Sequence, residues 1–142
     1  MRAWKRARLV FAAGLVVGLG CTAEADCTRE PVTASSGLTY RDISCGDGTE
    51  AERGDSVEVA YTLTVDDEVI DTSDEHGGSY KFRIGAAQAL RGLEDGVAGM
   101  KEGGVRELKV PPELGYGEDG YPPDIPPDAE LTFEVELLRV LN

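Results

Sequence analysis

The clearest hydropathy pattern runs from Val57 to Val65, where Val57, Val59, Tyr61, Leu63 and Val65 alternate with Glu58, Ala60, Thr62 and Thr64. A period of two over that length predicts a strand with one buried face. Leu131, Phe133, Val135 and Leu137 alternate with Thr132, Glu134 and Glu136 and predict another strand within Ala129–Val140. Shorter runs predict strands around Leu38, Tyr40 and Ile43, around Tyr80, Phe82 and Ile84, and over Val105–Val110 with Leu108 and Val110 inward. Asp66-Asp67 predicts a tight reversal that folds Glu68–Thr72 back as a hairpin. The period changes once. Within Ala86–Met100, Leu90, Leu93, Val97 and Met100 fall at i, i+3, i+7 and i+10, one face of a helix. Gly92, Gly96 and Gly99 lower its intrinsic propensity, so it should be short and held by packing.

One helix cannot cover both faces of a sheet, which excludes a doubly wound parallel layout. The expected fold is α+β, a curved antiparallel β-sheet wrapped around one short α-helix. The longest stretch without periodicity is Gly115–Pro127, Gly-Tyr-Gly-Glu-Asp-Gly-Tyr-Pro-Pro-Asp-Ile-Pro-Pro. Its prolines exclude a helix and a central strand. It reads as a stiff surface loop carrying Tyr116 and Tyr121, and loops on rigid scaffolds often carry function. Ser73–Ser79 reads as an acidic loop or bulge, in which His76 is a solvated residue.

Length and charge narrow the function. The 142 residues suit one domain. The net charge of −13, with no Lys/Arg cluster beyond the first eight residues, argues against nucleic acid as a partner. Asp66, Asp67, Glu68, Asp71, Asp74 and Glu75 do not have the spacing of an EF-hand and read as solvated charge. The sequence has no Cys/His ligand set, phosphate loop or Ser/His/Asp arrangement, so neither a metal nor a cofactor is expected.

The N-terminus reads as a targeting segment. Arg2, Lys5, Arg6 and Arg8 precede an apolar run from Leu9 to Leu19, too short for a membrane span. Two cleavage readings stand. Gly18-Leu19-Gly20-Cys21 resembles a bacterial lipobox and makes Cys21 a lipidation site and membrane anchor; Ala23-Glu24-Ala25 fits ordinary signal peptidase cleavage after residue 25. The first is preferred, giving a signal peptide over 1–20, a flexible tether over 21–36 and a domain over 37–142. Removing residues 1–20 takes away four positive charges and changes the net charge from −13 to −17. Export would place Cys27 and Cys45 in an oxidising compartment, where an even pair is expected to join. Such a bridge would be worth roughly 3 kcal/mol in the chain-entropy model; two free thiols are the alternative.

Several motifs together resemble the FKBP-type peptidyl-prolyl isomerases. They are Val59-Ala60-Tyr61-Thr62, Ile70-Asp71-Thr72-Ser73, Leu90-Arg91-Gly92-Leu93-Glu94-Asp95-Gly96-Val97, Leu114-Gly115-Tyr116-Gly117, Ile125-Pro126-Pro127 and Leu131-Thr132-Phe133-Glu134-Val135-Glu136-Leu137. They follow the family's order and spacing over about residues 37–142. The resemblance implies an apolar pocket between sheet and helix. In it Tyr116, Asp71 and Tyr61 would be the residues on which turnover depends, and Tyr80, Ala89, Leu90, Leu93, Tyr121, Ile125 and Phe133 would bind substrate. The family's pocket floor is usually tryptophan and here is Leu93; its aromatic–acid pair usually has Phe where this chain has Ile70; Asp124 stands where an aliphatic residue is common. Without the resemblance, Tyr61 and Phe133 also read as core, Leu90 and Leu93 as a buried helix face, and Asp71 as a turn cap.

The implied activity is isomerisation of X-Pro bonds during folding of exported proteins, by desolvated binding of the twisted amide. The implied ligands are proline-containing polypeptides and tacrolimus-like macrolides. The alternatives are a binding module or chaperone of the same fold, and a structural lipoprotein. A monomer is expected, located in the periplasm or anchored to a membrane.

Overall fold

The computed structural model describes residues 30–141. The signal segment, Cys21, Cys27 and most of the expected tether lie outside them. Seven strands form one antiparallel sheet: β1 (Val32–Thr33), β2 (Thr39–Ser44), β3 (Ser56–Val65), β4 (Glu68–Thr72), β5 (Tyr80–Arg83), β6 (Val105–Val110) and β7 (Leu131–Val140). The spatial order is β1-β2-β6-β7-β3-β4, and β5 pairs with the beginning of β3. β3 is therefore shared: Ser56–Val59 face β5 on the edge where Thr62–Val65 face β4. The single α-helix among the described residues, α1 (Arg91–Val97), packs against β6 and β7. This is the curved α+β architecture that the periodicities predict.

The alternation of β3 and β7 becomes burial. Val57, Val59, Leu63 and Val65 meet Leu131, Phe133, Val135 and Leu137 in one core, closed by Leu93, Val97 and Met100 from the helix side. β6 contributes Leu108 and Val110. On the same face of that strand Arg106 is buried; its Nε donates to Asp42 at 2.6 Å and its Nη1 to the Gly96 carbonyl at 3.1 Å. A cation thus satisfies a carbonyl at the C-terminal end of α1, where the helix dipole favours positive charge. The guanidinium also stacks over the Tyr40 ring, 4.5 Å from its centroid.

Three elements differ from expectation. The helix is half as long as the periodicity over Ala86–Met100 predicts. Ala87 has φ of +60°, Leu90 is extended, and Gly99 has φ of +93°, so the chain enters and leaves the helix abruptly. Ser73–His76, expected to be irregular, is a 3-10 turn that begins with the Thr72 hydroxyl accepting the Asp74 N–H at 2.9 Å. Val32–Thr33, within the expected tether, pairs with β2, so the sheet begins before Gly37. The Asp66-Asp67 reversal is as predicted: both residues have positive φ, the left-handed geometry of a two-residue hairpin turn. Cys45 is disulfide-bonded, and its partner lies outside the described residues.

The glycines of α1 let the helix lie against β6. A Cβ at Gly96 would stand 2.5 Å from Leu108 Cδ1, and one at Gly92 would overlap the methyls of Val110. Alanine would gain about 1 kcal/mol of helix propensity at either position. The crowding costs about 1–3 kcal/mol, and at Gly92 the stiff β-branched neighbour cannot turn aside. Gly92→Ala should therefore lower the urea midpoint. A midpoint at or above that of the wild type would show that propensity, not the close approach, governs this position.

Candidate functional site

A cavity of about 590 Å³ opens between the helix and the sheet, within the usual range for small-ligand sites. Leu93 and Phe133, each 3% exposed, lie at its base. Tyr61, Leu63 and Asp71 come from β3 and β4, Tyr80 from β5, Gln88, Ala89 and Leu90 from the segment before the helix, His76 from the 3-10 turn and Tyr116 from the long loop. The aromatic rings are interlocked. Tyr61 meets Tyr80 and Phe133 edge-on, with centroids 6.1 and 5.9 Å apart, the arrangement that aromatic quadrupoles prefer.

Of the ten residues expected at the site, eight line this cavity: Tyr61, Asp71, Tyr80, Ala89, Leu90, Leu93, Tyr116 and Phe133. Two do not. Ile125, 3% exposed, is a core residue beneath the long loop, where its backbone pairs with Tyr121. Tyr121 is 60% exposed and packs on Tyr116, with ring centroids 5.5 Å apart and planes tilted by 34°. It supports the ring that does line the cavity. Their spacing in a proline loop places both near the site but cannot say which side chain points in. The sequence reading missed Leu63, Gln88 and His76. Leu63 was legible as the inward neighbour of Tyr61. The other two carry no local signal, because turn geometry alone brings them in.

The polar groups of the cavity are organised around Asp71. The Tyr61 hydroxyl donates to its Oδ2 at 2.9 Å, the Thr72 N–H donates to Oδ1 at 2.9 Å, and His76 Nε2 lies 2.8 Å from Oδ1. Burial raises the Asp71 pKa, but the bonds from Tyr61 and His76 outweigh it and the carboxyl ends below its ordinary value. It is ionised at neutral pH. Burial, reinforced by the Asp71 hydrogen bond, pushes the Tyr61 phenol strongly upward, so it remains a donor. Burial also raises Tyr116; its hydroxyl has no protein partner among the described residues.

A family model for the FKBP-type peptidyl-prolyl cis-trans isomerase matches residues 48–138. The chain belongs to this family. It is 41% identical over 105 residues to an FK506-binding protein of Neisseria meningitidis serogroup B, covering 73% of this chain and 96% of the relative. It is 42% identical over 112 residues to FK506-binding protein 4 of Dictyostelium discoideum, covering 78% of this chain but only 30% of that longer protein. Among solved structures, FkpA from Escherichia coli superposes with a TM-score of 0.70 at 38% identity, covering 78% of this chain and 51% of the other. AtFKBP13 superposes with a TM-score of 0.73 at 31% identity, covering 79% and 99%.

The wall of the cavity next to the helix rests on Glu94, which is 4% exposed. Its Oε1 accepts the N–H of Gly85 at 2.9 Å and of Ala87 at 3.4 Å; its Oε2 accepts those of Gln88 and Ala89, both at 2.8 Å. These bonds hold Ala87 in its left-handed conformation, which an alanine rarely adopts unaided. They also fix the Gln88 carbonyl, which accepts the Tyr80 hydroxyl at 3.0 Å, and so set one side of the cavity. Burial alone would raise the Glu94 pKa, yet the four N–H donors outweigh it and lower it from 4.5.

A depressed carboxyl stabilises the fold fully above its unfolded pKa, and that contribution is lost as pH falls through the folded value. Glu94→Gln should cost about 1–3 kcal/mol at pH 7, because part of a charge-assisted set is replaced by a neutral acceptor and a clashing donor. The difference between the two proteins should shrink as pH falls below 4.5. Urea unfolding at pH 7 and pH 3 checks this; a gap that is equal at both would mean that the ionised carboxylate is not the stabilising species.

Proposed function

We propose that the chain is a peptidyl-prolyl cis-trans isomerase acting on proline-containing polypeptides. The observation that carries the reading is the cavity itself: an apolar base of Leu93 and Phe133 within a ring of tyrosines, in a chain of this family. Rotation about a peptide bond is slow because amide resonance must be lost, a barrier of about 18–20 kcal/mol. For X-Pro both isomers are populated, so the reaction needs no bond breaking. A catalyst has only to bind the twisted amide better than the planar ones. The planar amide is the more charge-separated form, and a water-poor pocket favours the twisted one. The tyrosine rings grip the proline ring, and the free Tyr116 hydroxyl is available to hold a substrate carbonyl. Asp71, occupied by three donors, orients Tyr61 and does not act as a general base.

The setting proposed is export, with Cys21 as a lipid anchor or with cleavage after residue 25. The basic and apolar segments at the N-terminus support this, and so does the disulfide at Cys45, since such bonds persist in oxidising compartments. We assign Cys27 as its partner by parity. The names of the Neisseria and Dictyostelium relatives describe them as FK506-binding, which supports a tacrolimus-like macrolide as a ligand of the same cavity. The chain spans 30% of the Dictyostelium relative and 63% of an Arabidopsis thaliana one, so what their remaining lengths do is not carried over. A second reading, a binding module with weak turnover, is favoured by one observation: the base of the cavity is a leucine, a smaller platform than an aromatic ring.

Exchange of an X-Pro peptide, followed by NMR, tests the proposal. Turnover well above the uncatalysed rate is expected, and Tyr116→Phe should lower kcat/KM about two- to tenfold, the worth of one neutral hydrogen bond. Leu93→Trp should raise it. A folded wild-type protein without turnover, with activity gained in Leu93→Trp, would overturn the isomerase reading in favour of the binding module.

A further inference from the structure

The chain has a single histidine, and the fold brings it to the cavity wall. His76 ends the 3-10 turn that follows β4, with its Nε2 2.8 Å from Asp71 Oδ1. The other Asp71 oxygen is held by the Tyr61 hydroxyl. Facing this pair are phenols from three other elements, Tyr61 on β3, Tyr80 on β5 and Tyr116 on the long loop; Asp74 and Glu75 on its own turn are acidic. Among the described residues, no lysine or arginine lines the cavity. Among those residues, the carboxylate therefore has one lining side chain able to bring it a full positive charge.

We infer that His76 is a specificity-determining residue of this site, which on gaining a proton neutralises Asp71 and improves the cavity as a host for a proline ring. The inference rests on the proline-binding reading above. A ring seated over an ionised carboxylate removes water from it, which is costly unless the charge is compensated. Neutral donors compensate it in part; a charge-assisted bond from imidazolium does so more strongly. Tyr61 and Tyr116 stay protonated across the neutral range, since burial raises both. Histidine is the side chain that ordinarily changes charge between about pH 5 and 8. The protonated form binds better, so affinity rises as pH is lowered and levels off at a weaker value as pH is raised.

The size of the effect follows from exposure. His76 is 57% and Asp71 32% exposed, and exposed ion pairs are screened, so affinity should change about two- to fivefold. The test is an NMR titration of the protein with an end-capped, uncharged Ala-Phe-Pro-Phe peptide from about pH 5.5 to 8.5, reading the dissociation constant from shift changes and cis/trans exchange from the same spectra. The wild type should bind about two- to fivefold tighter at the acid end. His76→Gln should be flat at the weaker, high-pH value, and His76→Arg flat at the tighter, low-pH value. A purely structural role would not give two variants with opposite plateaus. A pH-independent wild type, or a slope that persists in His76→Gln, overturns the inference. A His76-dependent slope without peptide exchange upholds it while overturning the isomerase reading, and no binding at any pH overturns both.

Discussion

Four backbone N–H groups converge on one carboxylate, and the geometry of the cavity follows from that contact. Glu94 sits on the inner side of α1, where its carboxylate takes the donors of Gly85, Ala87, Gln88 and Ala89. These bonds give partners to the backbone donors of a turn that lies outside any strand or helix. Satisfying them from the helix stops the helix from extending backwards and turns Ala89 and Leu90 towards the sheet. The same carboxylate thus ends one element, shapes a turn and places a wall of the site. The helix itself has only seven residues and no side-chain cap at its start. It is held by what it touches, namely β6 through its glycines, Arg106 at its end and the turn through Glu94.

The site combines an apolar base with one ionised group near its rim. Leu93 and Phe133 provide the apolar base, while Asp71 is saturated by Tyr61, Thr72 and His76. A group so placed is useful for orientation and unsuited to proton transfer, because its pKa is driven down. This agrees with the proposed isomerisation, in which no covalent bond changes partners. The tyrosines serve in pairs: Tyr61 is braced by Phe133 and Tyr80, and Tyr116 by Tyr121. A residue such as Tyr121, exposed and outside the cavity, can therefore matter through the ring it supports.

The alternation of β3 and β7 was sufficient for the sheet, because a period of two leaves one choice of buried face. The Asp66-Asp67 hairpin was equally legible, since two residues tolerant of positive φ between alternating runs permit little else. The single change of period located the helix face, and Leu93, Val97 and Met100 are buried as it implied. It could not locate the helix ends, because Glu94, Gly85 and Gly99 act through hydrogen bonds and dihedrals that leave the apolar spacing intact. Motif resemblance named eight residues that line the cavity; it also named Tyr121 and Ile125, which do not line it, in a proline-rich loop that hides which side chain turns inward.

The family resemblance named most of the cavity residues; the sequence by itself determined the strands, their buried faces and the sheet wrapped on one helix. These are local properties, written in periods and turn residues. The tertiary structure alone decided the length of the helix, the pairing of Val32–Thr33 with β2, the burial of Arg106 and the meeting of His76 with Asp71. Each depends on hydrogen bonds or ion pairs whose direction is set by backbone geometry. His76 and Asp71 are five residues apart, and the 3-10 turn between them brings the half-exposed imidazole to within 2.8 Å of the carboxylate.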